Sequence, residues 1–133
     1  MNHAMYQEII LDHSSNPRCH GVLDEPDAQA RDVNPSCGDV VEYYLKIEAG
    51  IIRDVKFTGK GCAISQASAS MLAESLVGQK LDAIVALNKE DILGMLGIPI
   101  SMMRLKCALL PLKVVKLAGY SYLGRTMSED VYG

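Results

Sequence analysis

Residues 41–58 change side at every step. Val41, Tyr43, Leu45 and Ile47 alternate with Glu42, Tyr44, Lys46 and Glu48. After Ala49-Gly50 the pattern resumes, with Ile51, Arg53, Val55 and Phe57 against Ile52, Asp54, Lys56 and Thr58. A period of two belongs to half-buried strands, and two such runs joined by a short turn predict an antiparallel hairpin. Gly59 and Gly61 end it, and from residue 62 the period becomes helical. Helices are expected over 62–77, stopped by Gly78, over 81–87 and over 89–96. After the break at Ile98-Pro99, a last long helix is expected over 104–118, closed by Gly119, with Pro111 in its early turns where a missing N–H costs least. The Ala- and Ser-rich run over 63–77 lets that helix approach a neighbour closely. Upstream, residues 3–14 place Tyr6, Ile9, Ile10 and His13 on one helical face, ended before Pro17. A loop over 18–26 and a strand over 28–33 complete the order. One helix, then strands, then helices is an α+β layout, with helices on one face of a small antiparallel sheet.

No internal repeat or linker divides the chain, and 133 residues suit one domain, 1–133, with a polar tail over 121–133 expected to be loosely held. About half the residues are apolar, yet no run reaches the roughly 20 of a membrane span. The first seven residues lack the basic and apolar regions of a signal peptide. The expectation is a cytoplasmic protein, away from membranes. A formal net charge of −3 gives no reason to expect nucleic acid.

Four cysteines occur, Cys19, Cys37, Cys62 and Cys107, with no CxxC pair among them. In a reducing compartment such a set points to metal, sulfur chemistry or plain burial, not to disulfides. Cys37 sits in Asn34-Pro35-Ser36-Cys37-Gly38-Asp39, a turn-rich loop between two expected strands, where Gly38 brings Cys37 and Asp39 toward one point. Cys62 follows Gly59-Lys60-Gly61 where a strand gives way to a helix, and a helix N-terminus stabilises a thiolate. Cys107 lies in Arg104-Leu105-Lys106-Cys107, close to a helix start and next to two cations, which suggests the same activation. Three thiols at element ends read as exposed and reactive. With Asp39 they form a tetrahedral set for zinc or iron, and could equally hold the irons of a [2Fe–2S] cluster. An oxygen in place of a fourth sulfur suits a site that must give its cargo away. Cys19, in the loop Asn16-Pro17-Arg18-Cys19-His20-Gly21, reads as an incidental surface thiol.

These segments resemble a known family. Tyr6-Gln7-Glu8-Ile9-Ile10-Leu11-Asp12-His13 with Asn16-Pro17-Arg18, the Asn34–Asp39 loop, the stretch from Gly59 to Met71, and Arg104-Leu105-Lys106-Cys107 are similar, in order and spacing, to the IscU/SufU/NifU N-terminal scaffold proteins of iron–sulfur cluster assembly. The resemblance runs from Tyr6 to about Gly119. It implies a SufE/NifU-like fold, a three-stranded antiparallel sheet packed by helices, with the ligands at one end. It implies Cys37, Asp39, Cys62 and Cys107 as cofactor- and metal-binding residues, Asp39 serving as ligand or release element and not as a merely solvated turn residue. It implies a cysteine desulfurase as sulfur donor, with Cys62 and Cys107 the candidate persulfide acceptors, apo iron–sulfur proteins as recipients, and a homodimer as one form with cluster bound. Two features depart from the IscU pattern: Lys106 replaces a histidine, as in the SufU branch, and Ile100-Ser101-Met102-Met103-Arg104 replaces a chaperone-binding segment. The insertion typical of SufU is also absent. The chain is IscU-like in length and SufU-like at Lys106.

Two functions follow: a scaffold that assembles and passes on a [2Fe–2S] cluster, with no enzymatic turnover of its own, or a zinc-containing sulfurtransferase that relays persulfide sulfur. Both need the same four residues. Among the rest, His13 reads as a packing histidine. Lys106, Lys113 and Lys116 form a solvated helical stripe. Met71, Met95, Met102 and Met103 read as core, with the last two able to form an adaptable partner surface. The N-terminal helix, short and next to a site that must admit a partner, is expected to be mobile.

Overall fold

The computed structural model describes residues 3–124. Helix α1 (His3–Ser15) is followed by strands β1 (Ala28–Asn34), β2 (Asp39–Glu48) and β3 (Ile51–Lys60), then α2 (Ala63–Leu76), α3 (Asp82–Ala86), α4 (Lys89–Leu96) and α5 (Met102–Leu123). The strands pair antiparallel in the order β1-β2-β3, so the three-stranded α+β layout stands. Ala49 and Gly50 both take positive φ, 53° and 76°, as the tight two-residue hairpin between β2 and β3 requires.

The alternation of β3 needs a correction. Lys46 pairs Asp54, but Ile47 pairs Ile52, so Arg53 is an extra residue in the ladder. A bulge of this kind swaps the faces on either side of it. Ile52 is therefore fully buried in phase with Val55 and Phe57, while Arg53 points to solvent. The outer edge of β3 is partly covered by the loop over 18–26, since Gly21 N–H donates to the Phe57 carbonyl at 2.9 Å and Phe57 N–H to that of Cys19 at 2.9 Å. Covering an edge in this way blocks pairing with another chain.

Helix α2 holds the layers together, and its serines explain how. Tyr43 donates its hydroxyl to the Ala69 carbonyl at 2.6 Å, tying α2 to the sheet. Ser68 donates to the Ala108 carbonyl at 2.7 Å, tying α2 to α5. Ser70 Oγ lies 2.7 Å from His13 Nδ1 and accepts the Arg18 N–H at 2.8 Å, tying it to α1 and the next loop. Small side chains allow the close approach, and each buried hydroxyl is satisfied. Helix α1 docks on α2 through buried Ile10 and His13, and the Tyr6 ring lies against Gly97, where no Cβ would fit. Beyond these contacts much of α1 faces solvent, with Met5 52% and Leu11 59% exposed.

Burial lowers the His13 pKa, and the Arg18 charge lowers it further. The unfolded chain then binds the proton near the ordinary value of 6.5 while the folded protein still excludes it. Stability is accordingly lost as pH falls below that value toward the folded pKa. His13→Gln should flatten this part of the profile in urea titrations between about pH 8 and about pH 5. A wild-type slope unchanged by the substitution would remove His13 from the account.

Helix α5 differs most from expectation. It starts at Met102 and runs to Leu123, with Gly124 as its left-handed terminus. Gly119 is inside the helix, packed on Ile84, and does not end it. Pro111 sits mid-helix and buried, so the residue 107 carbonyl lacks its helical donor. The cost, about 3 kcal/mol, is carried by an apolar face that includes Ala108, Leu112, Val115 and Ala118, all fully buried. Lys116 is not on a solvated face. It is 5% exposed, and its Nζ donates to the Val85 carbonyl at 3.2 Å. Met102 and Met103 are not core: they are 86% and 85% exposed at the helix start. Of the polar tail, residues 121–123 are the last turn of α5 and Gly124 ends it, and 125–133 lie outside the described residues. No helix among the described residues is long and apolar enough to cross a membrane.

Candidate metal and sulfur site

The site is built where the β1–β2 loop, the start of α2 and the second turn of α5 meet. Asn34 and Asp39 pair across the hairpin, and the loop between them is closed by the Cys37 N–H donating to the Asn34 carbonyl at 3.2 Å. Gly38 takes φ 71°, which turns the chain back into β2. Cys37 is left exposed and Asp39 fully buried. A solvated turn aspartate is thereby excluded.

Asp39 reaches the start of α2. Cys62 is the residue before that helix, and its own side chain caps nothing. Asp39 does so instead: its Oδ1 accepts the Cys62 N–H at 3.0 Å and lies 3.2 Å from the Ser65 hydroxyl. A carboxylate at a helix N-terminus meets unpaired N–H groups and the positive end of the helix dipole. Gly61, at φ 148°, lets the chain pass this point. A Cβ there would overlap Asp39 Oδ1 and come within 2.9 Å of Ser65 Oγ.

Cys37, Asp39 and Cys107 offer ligand atoms within 4.8 Å of one another, the group of this kind found among the described residues. Cys62 lies outside that group of three, but close enough to Cys107 for each thiol to shift the other's pKa. The four residues come from three separate segments of chain. Cys19 is elsewhere, half-buried behind β3, and burial raises its pKa. His20 packs edge-on against Phe57, with ring centroids 5.6 Å apart.

The thiols differ in character. Burial works against the Cys62 thiolate, but the backbone of Ser65, the Cys107 thiol and the backbone of Ile64 more than offset it, and the pKa falls. This is the helix-terminus effect expected from sequence. At Cys107 the expectation fails. The thiol is fully buried, and burial, followed by contacts with Asp39, Cys37 and Cys62, drives its pKa well up. The reason is the earlier start of α5: residue 107 falls in the second turn, on the inward face, while Arg104 and Lys106 stay in solvent.

Two residues of the site were not singled out from sequence. Ser65 was hidden among the many small residues of α2. Asn34 was visible only as part of a turn, yet it is 7% exposed, with Nδ2 3.4 Å from Asp39 Oδ2 and 3.8 Å from Cys107 Sγ. On its other side a cavity of about 440 Å³ opens between β1 and α5, walled by Leu105, Leu109 and Leu110 and edged by Lys89, Lys106 and Lys113. Lys113 is paired with Asp32 at 2.6 Å.

The chain is similar to known proteins over most of its length. Residues 5–129 match the NifU-like N-terminal domain. The iron–sulfur cluster assembly scaffold protein IscU of Thermotoga maritima is 43% identical over 86 residues, covering 65% of this chain and 61% of that protein. The zinc-dependent sulfurtransferase SufU of Bacillus subtilis is 39% identical over 87 residues, covering 65% and 58%. The matched stretches thus span less than two thirds of either relative. A crystal structure ascribed to a SUF-system iron–sulfur cluster assembly scaffold of Fervidobacterium islandicum AW-1 superposes with a TM-score of 0.76 and 31% identity, over 90% of this chain and 99% of that one. With its family match, its relatives and its fold in agreement, the chain belongs to the NifU-like N-terminal domain family, the IscU/SufU/NifU group.

Proposed function

We propose that this protein is a scaffold for assembly and transfer of a [2Fe–2S] cluster, taking sulfur from a cysteine desulfurase and passing the cluster to apo iron–sulfur proteins. The observation that carries this reading is the meeting of Cys37, Asp39 and Cys107 within 4.8 Å, near the start of the helix that Cys62 precedes. Thiolates are soft ligands that suit iron and zinc, and one carboxylate among them is a harder, more easily displaced partner. Asp39 is the residue of the four that can let go without leaving a reactive sulfur behind, so it sets the lability of the cargo. Free thiols need a reducing compartment, and the cytoplasm supplies it.

For sulfur entry, a thiolate of this chain attacks the outer sulfur of the donor's persulfide. A new S–S bond forms as the donor's S–S bond breaks, and the donor cysteine leaves as a thiolate. Of the two candidate acceptors, Cys62 is half-buried with a lowered pKa and Cys107 is fully enclosed. Accessibility therefore favours Cys62 as the first to receive sulfur.

One observation favours the second reading, a zinc-containing sulfurtransferase. Ligands around one tetrahedral zinc with bonds of roughly 2.3 Å stand roughly 3.8 Å apart. A group gathered within 4.8 Å matches a single ion, whereas ligands to two irons must stand further apart. The two functions are separated by metal and sulfide analysis, with an absorption spectrum, of protein purified without oxygen. Iron with acid-labile sulfide is the expected result for the scaffold. Stoichiometric, tightly held zinc without sulfide would replace it with the transferase, and a metal-free protein that takes up neither would overturn both.

A further inference from the structure

A side-chain amide carries two N–H donors on one nitrogen, and a buried one needs acceptors for both. Asn34 closes β1 at a buried position, and its Nδ2 has two neighbours of this kind: Asp39 Oδ2 at the start of β2 and Cys107 Sγ in α5. Both belong to the group of three that could hold a metal. The two carboxylate oxygens are not equivalent. Oδ1 is engaged by the Cys62 N–H and the Ser65 hydroxyl. Oδ2, the oxygen left for a metal, is the one Asn34 touches.

We propose that Asn34 is the positioning residue of this site. Its amide holds Asp39 Oδ2 and Cys107 Sγ side by side before an ion enters, and it stays bonded to both afterwards, since ligated oxygen and sulfur each keep a lone pair. Because Oδ1 stays tied to α2, Asp39 ligates through one oxygen only. Asn34 thereby links the firmness of binding to the hairpin end of the sheet, as outer hydrogen bonds to metal ligands commonly do. The proposal rests on the metal-site reading above.

The test uses the whole chain, purified without metal, and two probes, Zn²⁺ competed against a chromophoric chelator and Co²⁺ followed by its thiolate-to-metal absorption. Asn34→Ala removes both donors. Zinc affinity should fall about 10- to 100-fold. The Co²⁺ charge-transfer band should move to longer wavelength, because a thiolate that loses a donor gives up its electrons more easily. Asn34→Ser, which keeps one donor, should recover part of both effects and serves if the alanine variant folds poorly. Tyr43→Phe is the control: it removes a buried hydrogen bond away from the cluster and should lower stability without moving affinity or band. Wild-type affinity and band position in Asn34→Ala, or equal changes in Tyr43→Phe, would overturn the positioning role while leaving the metal site standing. A wild-type protein that binds neither ion would overturn the metal-site reading and this role with it.

Discussion

Replacing Cys37 with alanine is expected to abolish tight metal binding while leaving the metal-free fold almost untouched. The two effects separate here because Cys37 is the exposed member of the group. It lies in a four-residue hairpin loop whose closure comes from backbone groups, with the Cys37 N–H on the Asn34 carbonyl. Alanine keeps that bond and buries nothing new. Surface changes of this sort are usually worth within about 0.5 kcal/mol, so the melting temperature without metal should move by no more than about 2 °C. Cys62 is already counted among the proposed ligands, so losing the Cys37 thiolate leaves the set one short, and zinc affinity should drop about 100-fold or more. Cys107→Ala makes the contrast, since it removes a fully buried side chain and should cost stability as well as binding. Isothermal titration with zinc and thermal melts of the metal-free proteins report both quantities. Retained tight binding in Cys37→Ala would mean that the thiol beside Cys107 and Asp39 is not a ligand.

The second large effect belongs to a residue with no side chain. Gly61→Ala should lower stability by about 4 kcal/mol, which for a chain of this size is a fall of roughly 10–15 °C in melting temperature. Part of the cost is the backbone, held at φ 148° where a Cβ is strained. The larger part is Asp39, whose Oδ1 occupies the place a Cβ would take. Moving that carboxylate breaks its bond to the Cys62 N–H and disturbs those to Ser65 and Asn34, leaving a buried polar group short of partners. Metal binding should fail in the same variant, because Asp39 Oδ2 moves with Oδ1. A melting temperature within a few degrees of wild type would show that the contact is relieved cheaply.

Much of this site could be read from the sequence, and what could not has physical reasons. The β2–β3 hairpin was legible because one face is buried, which stamps a period of two on the residues. The bulge at Arg53 was not, since an inserted residue leaves no mark in composition. Helix α4 matched its expected span because Asn88 and Asp91 cap it reciprocally within four residues. Helix α5 was misjudged at both ends. Pro111 and Gly119 are local breakers, yet both lie within a helix secured by its neighbours. That same shift took Cys107 from an exposed, activated thiol to a buried one. The motifs named Cys37, Asp39, Cys62 and Cys107; the chain fold gathers the ligand atoms of Cys37, Asp39 and Cys107 within 4.8 Å and leaves Cys62 outside that group. The carboxylate's role as the cap of α2 depends on residues 23 positions apart in sequence, a relation that local patterns do not carry.

The wide spacing of the ligand segments has a thermodynamic consequence. Cys37 and Cys107 meet only after the hairpin, α2 and α5 have docked, so an unfolded chain offers no comparable site. Anything bound only by the native state stabilises it by mass action, by about 2.7 kcal/mol at a free concentration of 100 times Kd. Loading therefore draws the population toward intact molecules, and delivery reverses the gain. In the role proposed above, the protein is at its least stable just after it gives up its cargo, opening more often and offering itself more readily to proteases until it is refilled.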